Sequence, residues 1–112
     1  MHELGITRNI VAIVSDAAKG RRVTTVTLEV GKLAGVMTEA IAFCFETVAQ
    51  GSAIEGARLD IHEIEARARC LACGTEFVTP ALYSACPCGS RNSQRLSGEE
   101  LSIKSMELEE AA

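Results

Sequence analysis

The chain has 112 residues, 47% of them hydrophobic, and eleven Lys and Arg against fifteen Asp and Glu give it a net charge of −4. That length predicts one domain with at most a small appendage, and the acidic balance argues against a general affinity for nucleic acid or anionic membranes. No apolar run approaches the roughly 18 residues that span a bilayer and no basic start leads into one, so the expected compartment is the cytoplasm.

Residues 3–19 place Leu4, Thr7, Val11, Val14 and Ala18 at helical spacing, with Ile6, Ile10, Ile13 and Ala17 widening the stripe and Gly20 as a stop. "RRVTTVTLEVGKL" sets Val26, Leu28 and Val30 against Thr25, Thr27 and Glu29, a half-buried strand that ends at Gly31. In "TEAIAFCFETVAQG", Thr38 is the expected N-cap of a second helix, Ile41, Cys44, Phe45 and Val48 share one face, and Gly51 closes it. Cys44 there reads as a plain core thiol. "ARLDIHEIEA" returns to alternation, Leu59 and Ile61 opposing Arg58, Asp60 and His62, and His62 reads as a solvated strand residue.

Two strands joined through a helix predict a right-handed crossover, which makes them parallel if they are neighbours in one sheet. "EELSIKSMELEE" adds a third strand, whose alternation slips phase between Ile103 and Met106 and predicts a bulge near Lys104 and Ser105. The expected fold is therefore α+β: two helices packed on a small three-stranded sheet, built from residues 1–66 and 97–112. Residues 67–96 interrupt it with four cysteines, both prolines and little periodicity.

This insert carries the strongest motif. Cys70 and Cys73 form a Cys-x-x-Cys, twelve residues intervene, and Cys86 and Cys88 form a Cys-Pro-Cys followed by Gly89. Two such turns supply the four thiolates of a tetrahedral structural zinc site, with no open position for substrate. Phe77 and Tyr83 are expected to pack over the turns, because so short an insert has no core without the metal. A redox dithiol is the competing reading, then disulfides. Pro87 shortens the second turn and removes a donor, so the usual backbone hydrogen bonds onto sulfur must be rearranged there.

The chain opens "MHELGITRNI". The α-amine of Met1, the amide nitrogen of His2 and its imidazole Nδ1 can close a five-membered and then a six-membered chelate ring, and the Glu3 amide is within reach as a fourth nitrogen. A square-planar set of that kind suits Ni(II) or Cu(II) and gains little for zinc. The Glu3 carboxylate has two further uses, as a hydrogen-bond partner behind the ligands or as a charge favouring the helix N-terminus. Met1 is expected to be retained, because the bulk of His2 hinders its trimming. The plainer reading of His2 is an exposed, uninvolved side chain.

No enzyme is expected. The His-x-Glu and Pro-Cys-x-x-Cys of zinc deaminases are absent, since Ile64 stands where the glutamate should be and the second pair is Cys-Pro-Cys. A zinc-ribbon adaptor for protein or nucleic acid is the alternative, but a basic, aromatic-studded face is its signature. Arg67, Arg69, Arg91 and Arg95 with Tyr83 are all that the insert offers. Those arginines read as a solvated rim, or as a docking surface for an acidic partner.

Taken together, "MHELGIT", the GxLxGV of "GKLAGVMTEAIAFCFE", the four-cysteine insert and the "CGS…SGEELSIKSMELE" tail resemble the HypA/HybF family of hydrogenase maturation nickel metallochaperones over nearly the full chain. The resemblance implies an α+β nickel-binding domain with a zinc-ribbon-like insert. It implies delivery of Ni(II) to the large subunit of [NiFe] hydrogenase in concert with a HypB-type maturation GTPase, by a monomer or weak homodimer. The family's nickel motif falls on Met1, His2 and Glu3, and its zinc cysteines on Cys70, Cys73, Cys86 and Cys88. The short Cys-Pro-Cys departs from the family pattern of two intervening residues.

Overall fold

The computed structural model describes residues 2–82 and 84–110; Met1, Tyr83, Ala111 and Ala112 lie outside it, and with them the packing role expected of Tyr83. Among the described residues are two helices, α1 (His2–Ala18) and α2 (Thr38–Ala49), and six strands. These are β1 (Val23–Gly31), β2 (Arg58–Ile64), β3 (Arg67–Cys70), β4 (Glu76–Val78), β5 (Ser93–Ser97) and β6 (Leu101–Leu108). The fold is α+β, with the strands in two small sheets ordered β2-β1-β6 and β4-β3-β5.

Val23 N–H donates to Ala53 O at the start of β1 and Lys32 N–H to Ile64 O just past its end. Both bonds advance in the same direction, so β1 and β2 are parallel, as a crossover through α2 requires. Against β6 the direction reverses, since Gly31 N–H donates to Glu100 O and Glu109 N–H to Arg22 O.

The chain separates into two compact units, one of Met1–Leu28, Met37–His62 and Ser102–Ala112, the other of Glu29–Val36 and Glu63–Leu101. The second is broader than the 67–96 segment that stands out in the sequence.

In the first unit α1 buries Glu3, Thr7, Ile10, Val11, Val14 and Ala18. Those positions form one column of a helix. Thr7, Ile10, Val11, Val14 and Ala18 are buried as expected, but at the start of the helix Glu3, 6% exposed, takes the place of Leu4, which is 40% exposed, and Ile13 is 58% exposed. α1 ends where Lys19 and Gly20 turn left-handed, at φ 52 and 83.

Met37, rather than Thr38, occupies the N-cap position of α2, and it has no side-chain cap. Its carbonyl already accepts the N–H groups of Ala40 and Ile41, which starts the helix one residue early. Ile41, Phe45 and Ala49 are buried at four-residue steps. Cys44, expected in the core, is only half-buried beside that stripe. Val23, Val26 and Leu28 of β1 and Ile54 complete this core, where truncating a side chain such as Leu28 to alanine costs about 2–5 kcal/mol. β6 is one unbroken strand, with Ile103 and Met106 both half-buried across the expected phase slip.

The second unit is built on β3, which pairs antiparallel with β4 and with β5. A bulge falls here, where Arg67 faces Ser97 but Ala68 faces Arg95, so Leu96 is skipped. Ala68, Cys70, Phe77 and Cys86 make up the buried cluster. Close backbone approach demands glycine at Gly31 and Gly98: a Cβ on Gly31 would run into the carbonyl of Gly98, and one on Gly98 would lie 2.5 Å from Ala66 Cβ.

Candidate metal centres

Cys70 ends β3, and the turn that follows is closed by Cys70 N–H to Thr75 O at 2.8 Å and Gly74 N–H to Cys70 O at 2.9 Å. A second turn is closed by Cys86 N–H to Ser90 O and Gly89 N–H to Cys86 O, at 2.9 and 2.8 Å. Leu71 N–H donates to Asn92 O at 2.9 Å and staples the two turns together. This backbone brings all four sulfurs of Cys70, Cys73, Cys86 and Cys88 within 4.8 Å of one another.

The spacing discriminates between chemistries. Cys70 and Cys88 sulfurs are 3.7 Å apart and those of Cys73 and Cys86 3.6 Å, far longer than a disulfide of about 2.05 Å. A tetrahedron of sulfurs at about 2.3 Å from a central zinc has edges of about 3.8 Å. The four cysteines therefore form a metal-binding group whose size fits such an ion.

Cys73 N–H donates to Cys70 Sγ at 3.4 Å and holds the Cys70 thiol below its ordinary range. The Thr75 hydroxyl, with Oγ1 3.2 Å from Cys73 Sγ, and then the Thr75 N–H bring Cys73 down to about 6. In the short turn Pro87 has no N–H to give, and the Cys88 N–H donates toward Cys86 instead. Against that bond, burial and the neighbouring thiols win and push Cys86 up to about 12. A cation at the centre reverses this balance by favouring thiolates at all four positions. Phe77 packs in the same cluster as Cys70 and Cys86.

At the other candidate centre, His2 is the first residue of α1 and its side chain is 63% exposed. The Glu3 carboxylate is buried beside it, with Oε2 3.7 Å from His2 Nε2. The same Oε2 accepts the Met37 N–H at 3.0 Å, while Thr7 Oγ1 donates to the Glu3 carbonyl at 2.7 Å. The Met37 N–H is the main reason that Glu3 is held at about 2. Met1, the remaining nickel candidate, falls outside the described residues. The Glu3–Met37 link is invisible to pattern reading, because a glutamate at a helix start looks like a dipole charge until the loop that meets it is known.

His62 is exposed on β2. Of the four arginines read as a rim, Arg95 departs: it faces Ala68 across the sheet, and its guanidinium donates to Glu99 Oε1 at 2.9 Å and to Leu82 O at 2.7 Å. Its alternation with exposed Gln94 and Leu96 was the available signal. Among the described residues no helix is long and apolar enough to cross a membrane.

Comparison with known proteins is consistent across three routes. A family model described as "Hydrogenase/urease nickel incorporation, metallochaperone, hypA" matches residues 1–108. A hydrogenase maturation factor HypA from a Nostoc species is 48% identical over 110 residues, covering 98% of this chain and 97% of that one. The protein of the same name from Geobacter metallireducens is 46% identical over 110 residues, covering 97% and 100%. The solution structure of the Ni metallochaperone HypA from Helicobacter pylori superposes with a TM-score of 0.67 at 26% identity, covering 96% of this chain and 97% of that one.

Proposed function

The chain belongs to the HypA family of hydrogenase/urease nickel-incorporation metallochaperones, and from that premise we propose that it binds Ni(II) at its N-terminus and hands it on. In this reading Ni(II) is cargo. The α-amine of Met1, the amides of His2 and Glu3 and His2 Nδ1 hold it, the [NiFe] hydrogenase large subunit receives it, and a HypB-type GTPase assists in the cytoplasm. Residues 1–66 and 97–112 serve the nickel site, and 67–96 serve Zn(II) on Cys70, Cys73, Cys86 and Cys88.

The observation that carries the nickel reading is the setting of His2. The Glu3 carboxylate lies on the Nε2 side of the ring, 3.7 Å away, which leaves Nδ1 to close the six-membered ring with its own amide. A small approach would let Nε2–H donate to that carboxylate, the support that metal-bound imidazoles commonly have. Exposure of the imidazole suits release, because an incoming ligand can reach the ion while the old ligands still hold it. Deprotonated amides as ligands make binding release protons and weaken as pH falls.

Zinc bound to the four thiolates supplies structural closure of the insert. The cysteines themselves supply the rest: two buried sulfurs, Cys70 and Cys86, and two exposed ones, Cys73 and Cys88, leave no position for a reacting molecule.

Calorimetric titration of untagged protein with Ni(II) tests the proposal. Parent protein should bind one ion, and His2→Ala should weaken it by more than about 100-fold, since loss of a ligand exceeds the usual cost of losing a ligand's supporting partner. Equal binding by His2→Ala would show that the site lies elsewhere.

A further inference from the structure

We propose that the solvent-facing side of α2, centred on Phe43 and continued by the hollow beside Glu46, docks a basic segment of a partner protein that carries an arginine and an aliphatic side chain. This goes beyond nickel transfer and does not depend on where nickel binds.

Helical spacing defines the face. Ile41, Phe45 and Ala49 turn into the core, which leaves Glu39, Ala42, Phe43, Glu46, Thr47 and Gln50 exposed in one stripe. Phe43 is 83% exposed, the largest value among the described large hydrophobic side chains. A lone exposed aromatic is ordinary on a protein surface, but this one stands between two carboxylates that have no cation of their own. Glu39 lies four residues before it and Glu46 three after, which makes both its neighbours on the helix. The position four after Glu39, where a surface helix commonly carries a lysine, is Phe43 itself, and Glu46 has Ala42 and Gln50 four residues to either side. Among the described residues neither glutamate forms an ion pair. Glu39 also favours the start of α2 from its first turn, whereas Glu46, further along, has no such use.

Ala42 and Glu46 also line a hollow of about 290 Å³, together with Phe45 and Ala49 of α2 and Gly56, Ala57 and Leu59 of the chain that follows. The small residues at Ala42, Ala49, Gly56 and Ala57 leave it open. The turn that shapes it is fixed by backbone hydrogen bonds, Ser52 N–H to Ala49 O and Ala57 N–H to Ile54 O, at 3.0 and 2.9 Å, so the hollow is built before any partner arrives. One aliphatic side chain of the partner fills it. A nearby arginine of the same segment lies over the Phe43 ring, where a cation is attracted to the π face, and its guanidinium grips Glu39 or Glu46 through two parallel bonds.

Charge selects the partner. Residues 33–57 hold three glutamates and no Lys, Arg or His. The compact unit that carries α2 holds six Lys and Arg against nine Asp and Glu, a balance of −3. Arg22 approaches the hollow at Gly56, but its guanidinium donates to the Glu55 carbonyl at 2.8 Å and leaves Glu46 to an outside cation. The same negative sign turns away nucleic acid and anionic lipid. A second copy presenting this face would set glutamates against glutamates.

The test uses the zinc-loaded full chain, ¹⁵N-labelled, titrated with an acetylated hexapeptide Arg-Lys-Leu-Arg-Lys-Leu. Expected are shifts centred on Ala42, Phe43, Glu46 and Gly56, with binding weakening as salt rises from about 50 to about 300 mM. Glu39→Gln with Glu46→Gln, which keeps the shape and removes the charge, should weaken binding by at least about fivefold. Phe43→Ala, which leaves the carboxylates in place, should weaken it by about threefold or more, and so should replacing both peptide leucines by serine. Zinc content and nickel affinity should match the parent in every variant, which separates failure of docking from failure of the nickel reading. Shifts that map elsewhere, such as the acidic C-terminal end of β6, variants that bind like the parent, or equal binding of an Asp-Glu-Leu-Asp-Glu-Leu peptide each overturn the proposal. So does a concentration-dependent dimer abolished by Phe43→Ala, which would assign this face to a second copy.

Discussion

The four-cysteine group and the N-terminal residues are opposite constructions. Two hairpin-like turns converge to place four sulfurs within 4.8 Å, a saturated set that an ion leaves only when the turns come apart. At the N-terminus a single exposed imidazole begins a helix, its carboxylate neighbour buried behind it, and the remaining proposed donors are backbone nitrogens. On the proposed reading, the contrast is what would let one chain keep one metal and give up another. Retention follows from closure by side chains brought from distant sequence; transfer follows from an open set drawn from adjacent residues.

The largest expected effect breaks the closed site. Cys86→Ser, or stripping the metal with a strong chelator, should unfold the second unit while far-UV dichroism of the two helices persists, since structural zinc supplies about 10–16 kcal/mol in small domains. Retention of the β3 amide dispersion in the metal-free protein would show that the insert folds unaided. Next is Gly31→Ala, whose new Cβ meets the Gly98 carbonyl. Backbone must move, so a loss of about 3 kcal/mol or more in denaturant unfolding is expected, with nickel affinity unchanged.

Smaller effects sharpen the open site. Glu3→Gln weakens the acceptor of the Met37 N–H, and thermal unfolding should fall by a few degrees at pH 7. A carboxyl lowered to about 2 from an ordinary value of 4.5 stabilises the folded state above the higher value, and the benefit disappears as pH falls through the lower one. The difference between parent and variant should therefore shrink below pH 4.5 and vanish near 2, whereas nickel, competing with protons for nitrogen, should already have left. The smallest effect is expected of Thr75→Val. Without its hydroxyl the Cys73 thiol rises from about 6, so zinc retention in a chelator competition should drop by up to about tenfold near pH 6 and hardly at all near pH 8.

Much of this was legible in the chain. Helical spacing found α1 and α2, alternation found β1, β2 and β6, and cysteine spacing found the four-sulfur group. What escaped has physical reasons. β3, β4 and β5 are four, three and five residues long, too short for alternation to register, and their fold depends on turns that sulfur geometry organises. Glu3 displaced Leu4 from the buried column of α1 because Met37, 34 residues later, offers an N–H to its carboxylate; no local pattern contains that partner. Met37 likewise took the capping position from Thr38 through its carbonyl, a backbone role that residue type does not announce. The proposed N-terminal donors can be named from the sequence alone because they are consecutive.

A cleavable N-terminal tag tests the central claim most directly. Nickel stoichiometry should be near zero in the extended protein, rise to one ion per chain once the tag is removed to leave Met1 with a free α-amine, and leave zinc unchanged at one per chain throughout. Full nickel binding before cleavage would contradict the account, because an amine buried in a peptide bond cannot be the ligand that completes the site.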